Sequence, residues 1–253
     1  MSLLRRIWRK LRARPRRIEV VKSSPRAERL AAKLQGTASL GAEARPAVER
    51  IRASMLERND SHSDPRYPTI ALHFAKASSG DPKLALLQQL VGYRSAKSVL
   101  ELGTAYGLSS IAIAKTKERP QIVTIEFAEP QATLGPANLR TVGVTNVECV
   151  KGDKVEALPR FAAEGRRFDF VFHDGGHTGD FYVSDFGLIA PMLEPESIYV
   201  IDDIAWDDNP EIRAITEPRS RRTCFEGWQE LLTDPRVDGA VVVNRNVGIL
   251  LTR

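Results

Sequence analysis

The stretch KSVLELGTAYGLSSIAIA, residues 97–114, joins an apolar run to a helix-like run of Ile and Ala through a turn holding Gly103 and Gly107. A strand that feeds straight into a helix is the first half of a βαβ unit, and the same rhythm recurs downstream. Strand-like runs stand at 97–102 (KSVLEL), 121–126 (QIVTIE), 146–151 (NVECVK), 168–174 (FDFVFHD) and 197–202 (SIYVID), with spacers long enough for a helix. The alternation predicts an α/β fold: a Rossmann-like, doubly wound parallel sheet with helices on both faces and right-handed crossovers. Two last runs, 239–244 (GAVVVN) and 247–253 (VGILLTR), have only Arg245 and Asn246 between them. So short a link permits only an antiparallel hairpin.

A chain of 253 residues with 42% hydrophobic content can bury one substantial core. No run reaches the roughly 18 to 20 apolar residues of a membrane-spanning helix. The two cysteines, Cys149 and Cys224, have no metal-ligand spacing and form no disulfide framework, so a reducing, cytoplasmic setting is expected. The net charge of +5 is unevenly placed. Residues 1–30 hold eleven Lys/Arg against Glu19 and Glu28, leaving 26 basic and 30 acidic residues for the rest. The opening segment sets Leu4, Ile7, Trp8 and Leu11 at helical spacing among arginines, which reads as a solvated basic extension or, in a sharper reading, a peripheral membrane contact. It lacks the apolar core and cleavage site of a secretory signal. Nucleic acid is disfavoured as a partner because the body carries no matching basic surface.

Residues 31–95 read as helices separated by polar turns, one helix starting with Asp81 as N-cap and Pro82 in its first turn. The expected organisation is therefore a tail (1–30), a helical cap (31–95) and a sheet-built core (96–253).

In open parallel sheets, ligands bind at the carboxyl ends of the strands, near the point where strand order reverses. After the first strand of the series come Glu101, Gly103, Gly107, Ser109 and Ser110, where glycines let the backbone approach a ligand and free helix amides suit an anion. The glycines are four apart rather than in GxGxxG, and Tyr106 fills the space a diphosphate would need, so a carboxylate fits better. Glu126 ends the second strand, placed to accept from ribose hydroxyls, and Asp153 follows the third, placed to accept from an exocyclic amine. Each residue alone reads equally well as turn or helix cap. Three at successive strand ends form the stronger signal.

On LELGTAYGLSS and the closing hairpin, residues 76–253 resemble the class I S-adenosylmethionine-dependent methyltransferases, whose seven-stranded sheet ends in a reversed last strand. The resemblance implies S-adenosylmethionine as cofactor. Glu101 would face its methionine amino group, Ser109 and nearby amides its carboxylate, Glu126 its ribose and Asp153 its adenine.

A hydroxyl acceptor needs activation, and a divalent cation such as Mg²⁺ lowers the pKa of an oxygen it coordinates. Asp174 ends the fourth strand and Asp202-Asp203 the fifth, and neighbouring strands lie about 4.8 Å apart, so the three carboxylates can converge on one ion. His177, across Gly175-Gly176, can fold back as a base. This set looks like that of the metal-dependent O-methyltransferases. Catechol and caffeoyl-coenzyme-A methyltransferases carry a lysine where this chain has His177, and the Asp-x-x-His plus acidic pair is more like the sugar and antibiotic O-methyltransferases. The resemblance also makes a homodimer an open expectation.

The bland alternatives are a helix cap for Asp202-Asp203 and a surface histidine at 177. His173 should point to the opposite sheet face, beneath a helix. Trp206, Asp207 and Asp208 are expected to line an acceptor pocket. The leading expectation is Mg²⁺-assisted methyl transfer to a hydroxyl of a small molecule or glycan. Its alternatives are a metal-independent methyltransferase acting on RNA or protein, a non-catalytic nucleoside-binding module and, last for want of GxGxxG, a dehydrogenase.

Overall fold

The computed structural model describes residues 15–208, 210, 213 and 220–253. The amphipathic pattern of Leu4, Ile7, Trp8 and Leu11 lies outside them.

Eight strands form one sheet: β1 (Ile18–Lys22), β2 (Ser98–Leu102), β3 (Gln121–Glu126), β4 (Val147–Lys151), β5 (Phe168–His173), β6 (Leu193–Ile201), β7 (Val237–Val243) and β8 (Val247–Thr252). Their order is β1-β7-β8-β6-β5-β2-β3-β4. Strands β2 to β6 pair parallel, while β8 runs antiparallel to both β6 and β7. The expected α/β architecture and terminal hairpin are present. The strand count is eight rather than seven because Ile18–Lys22 pairs antiparallel with β7 at the sheet edge, Ile18 opposite Val243. Ile18–Lys22, placed above in a tail of residues 1–30, therefore belongs to the fold. The strand is short, and only alternate side chains turn inward. Asn244 and Arg245 both adopt positive φ in the hairpin turn, which matches the twist of the flanking strands.

The helices are α1 (Pro25–Leu34), α2 (Arg45–Leu56), α3 (Ile70–Ala77), α4 (Asp81–Arg94), α5 (Leu108–Ala114), α6 (Gln131–Thr141), α7 (Lys154–Ala163), α8 (Gly179–Ile189) and α9 (Cys224–Thr233). Alternation along the central strands builds two cores. Phe170, Phe172, Ile198 and Val200 face Leu30, Ile51, Leu87 and Ile111 on one side. Tyr199, Ile201 and Leu250 face Phe161, Phe186 and Trp228 on the other. Burying each such side chain contributes roughly 1.5–3 kcal/mol. The helices of 31–95 thus share a core with the sheet.

Asp81 is not the N-cap of α4. Gly80 holds that position, and the Asp81 carboxylate accepts from Arg52 at 2.5 Å. Among the described residues, no helix is long and apolar enough to cross a membrane.

The strand order reverses between β2 and β5, and their carboxyl ends meet tightly. Gly103 has φ +93°, and a Cβ there would lie 2.6 Å from the Asp174 carbonyl oxygen. Only glycine lets these two strand-end loops touch.

Candidate active site

A groove of about 470 Å³ opens over this junction, walled by Gly103, Glu126, Phe127, Asp153, Asp174 and His177 among others. Glu126 accepts from the backbone N–H of Ala105 at 2.8 Å and of Ala128 at 2.9 Å. Those bonds fix its carboxylate and hold Ala105 at its positive φ. Phe127, 72% exposed, presents its ring at the groove rather than to a core. Asp153 does both jobs that its sequence allows: it caps α7, accepting from Val155 N–H at 2.9 Å, and it lines the groove.

Glu101 sits deeper, fully buried beneath α5. One carboxylate oxygen accepts from Ser110 Oγ and, at 2.7 Å, from Thr124 Oγ1, while the other has no partner. Burial pushes its pKa up. Gly107, with φ +84°, precedes α5, and Ser109 lines a smaller recess with Ser78, Tyr106 and Asp174.

Asp174 belongs to both cavities and also to an acidic cluster. His177 Nε2 lies 3.8 Å from Asp174 Oδ1 and 3.9 Å from Asp203 Oδ2. One ligand atom from each of Asp174, His177 and Asp203 falls within 4.8 Å of the others. Asp203 also accepts from Asn246 Nδ2 at 2.6 Å, so the β7–β8 turn braces it. Asp202 is fully buried behind this group: Lys83 Nζ donates to its Oδ2, and its Oδ1 has no partner.

The charges follow from this packing. Burial and then the neighbouring Asp202 hold the Asp174 carboxyl well above the usual carboxylate range. Burial lowers the His177 pKa despite the nearby acids, so the imidazole is neutral near pH 7. Burial opposes the charge on Lys83, but Asp202, Asp174 and Asp203 outweigh it and raise its pKa.

Asp174, His177 and Asp203 make a donor set that fits a divalent cation, whereas Asp202, expected as a third carboxylate ligand, stands behind them bonded to Lys83. Glu101, expected to meet a ligand's amino group, lines neither of these two cavities; its unpartnered oxygen is enclosed beneath α5.

Sequence reasoning missed Lys83, Asn246 and a network beneath the groove. There Lys154 Nζ donates to Asp185 and to the Gly175 carbonyl, both at 2.5 Å, and lies 4.3 Å from the Phe181 ring centre. His173 Nε2 meets the same Asp185 oxygen at 2.7 Å, on the helix-covered face. Such contacts join residues far apart in the chain and leave no local motif. The acceptor-pocket expectation needs correction. Trp206 does stand against His177, ring centres 5.1 Å apart, but Asp207 is buried and accepts from Cys224 N–H. Asp208 lines a separate groove with Phe225 and Arg245.

A parallel sheet with a reversed last strand thus carries Glu126, Asp153 and Asp174 at or just past successive strand ends, on the side where the Asp174, His177 and Asp203 cluster lies. Residues 100–204 match the model of a methyltransferase domain family. Among curated proteins, the chain is 29% identical over 135 residues to a catechol O-methyltransferase of Niastella koreensis, covering 52% of this chain and 60% of that protein. It is 33% identical over 117 residues to a catechol O-methyltransferase of Mycobacterium tuberculosis, covering 42% and 52% respectively. The chain thus spans little more than half the length of these relatives. Its fold is shared by a Podospora anserina methyltransferase solved with SAH (TM-score 0.64, 18% identity, 93% of this chain and 99% of that one). It is shared too by a Streptomyces achromogenes O-methyltransferase solved with SAM (TM-score 0.59, 22% identity, 85% and 92%).

Proposed function

We propose that this protein transfers a methyl group from S-adenosylmethionine to a hydroxyl of a small molecule or glycan, assisted by a divalent cation such as Mg²⁺. The observation that carries the reading is the position of His177: its Nε2 stands within 4 Å of carboxylate oxygens of both Asp174 and Asp203, at the edge of the cofactor groove that Asp174 also lines. The catechol O-methyltransferase relatives support transfer to oxygen.

Glu101, Glu126 and Asp153 would bind the cofactor's amino group, ribose and adenine, with the Phe127 ring covering the base. S-Adenosylmethionine, when bound, supplies a methyl group activated by its positive sulfur. Asp174, Asp202 and Asp203 would hold the cation, which supplies Lewis acidity that lowers the acceptor hydroxyl's pKa.

The chain's own residues do the rest. His177, kept neutral by burial, is free to take the hydroxyl proton at Nε2. Asn246 fixes Asp203, and Tyr182 OH, donating to the Asp202 carbonyl at 3.0 Å, fixes the backbone of the acidic pair. Trp206 shields one side of the imidazole from water.

Calorimetric titration with S-adenosylhomocysteine, followed by Mg²⁺, tests this reading. Micromolar nucleoside binding and a metal signal abolished by Asp174→Ala are expected. Nucleoside binding without that signal would favour metal-independent chemistry, for which the Lys83–Asp202 pair is the specific support. No nucleoside binding would overturn both.

A further inference from the structure

We propose that Lys83 is a built-in cation of the acidic cluster, competing with a divalent metal for Asp202 and setting the site's metal affinity low. The inference rests on the cation site proposed above.

Lys83 comes from the N-terminal helices, 119 residues before Asp202. It stands in the first turn of α4, which is firmly anchored: Arg52 donates to Asp81 at 2.5 Å and to the Ser79 carbonyl at 3.1 Å, and Arg45 lies 3.7 Å from Asp81. The helix start therefore delivers the ammonium to one place. There it donates to Oδ2 of a carboxylate with no exposed surface, while Oδ1 is buried and unpartnered.

The cluster holds more acidic groups than cations. One ammonium faces Asp174, Asp202 and Asp203, and the Asn246 amide on Asp203 brings no net charge. A cation is still attracted, but one that engages Asp202 must displace an ammonium already bonded to it. Like charges that close, inside a partly buried site, are strongly exclusive. A metal confined to Asp174, His177 and Asp203 would still sit beside the ammonium and bind more weakly for it.

The test is Mn²⁺ binding, followed by the electron paramagnetic resonance of free Mn²⁺ at saturating S-adenosylhomocysteine, which also reports a folded groove. Lys83→Met is expected to bind Mn²⁺ at least tenfold more tightly than wild type, and Lys83→Arg no more tightly than wild type. If Lys83→Met binds equally or more weakly, or if neither protein binds, the inference falls and Lys83 is a structural bracket for Asp202. Tight binding by Lys83→Met alone would uphold it while overturning the metal-assisted reading of the native chain. Wild-type binding unchanged by the substitution would do the reverse. Should Lys83→Met fail to bind the nucleoside, wild type decides. Millimolar Mn²⁺ should free the amine, raising acylation of Lys83 by an amine-reactive reagent, as read by mass spectrometry. Unchanged acylation would overturn the proposal.

Discussion

His177 and Asp174, three residues apart across two glycines, face one another with 3.8 Å between Nε2 and Oδ1. The imidazole is thus held at the acids without being bound up by a short hydrogen bond, as a base awaiting a proton should be. His177→Gln is expected to lower kcat by about 10²- to 10⁴-fold while leaving S-adenosylhomocysteine affinity within a few-fold. Because burial depresses the imidazole pKa, the acidic limb of the kcat profile should fall below the free-imidazole value of about 6.5. A limb at or above that value would remove His177 as the base.

Gly103→Ala should damage both loops at once. Its φ of +93° disfavours any side chain, and the new methyl would strike the Asp174 carbonyl. Backbone strain alone costs about 1–3 kcal/mol. Chemical denaturation should show at least that loss, together with weaker nucleoside binding in calorimetry.

Asp174→Asn should have the opposite effect on the metal-free protein. Removing one of three crowded carboxylates relieves repulsion that Lys83 only partly offsets, and a gain of about 1 kcal/mol in denaturant unfolding is expected. Metal binding should be lost in the same variant. A less stable Asp174→Asn protein would show that the carboxylate is structurally required.

Acid should weaken the fold through His73, stacked on His62 with ring centres 4.0 Å apart and bonded to Tyr106 OH at 2.7 Å. Burial, then His62, brings its pKa down to about 4. The unfolded imidazole takes its proton near about pH 6.5, so between these values the unfolded state holds more protons. This contribution to stability is complete above the upper value and is lost as pH falls through the window. Melting temperature should drop there, and His73→Gln should drop less steeply.

Much of this was readable in the chain because a parallel sheet writes its strands as dense apolar runs. QIVTIE and FDFVFH lie within the structure nearly as their β-branched and aromatic content predicts. Glu126 and Asp153 were legible for the same reason, standing at the end of one such run and just past another. Ile18–Lys22 escaped because an edge strand buries only alternate residues, here set among arginines. Asp207 was misjudged since its use, receiving the Cys224 N–H, depends on a helix that starts well downstream. Lys83 could not be found at all: its partner is chosen by how α4 docks, and nothing local marks it.

The edge strand also gives the domain a polarity. Arg17 and Asn244 exchange backbone and side-chain hydrogen bonds at 2.8 and 2.9 Å, so the polypeptide enters beside the hairpin turn that carries Asn246 to Asp203. Strand β8 then runs antiparallel to β6, from Gly248 opposite Ile201 to Leu251 opposite Ile198, taking Arg253 to the far side. The edge strand thus starts on the side of the sheet where the acidic cluster lies. Cargo fused after Arg253 would hang from the opposite side of the sheet, away from the acidic cluster.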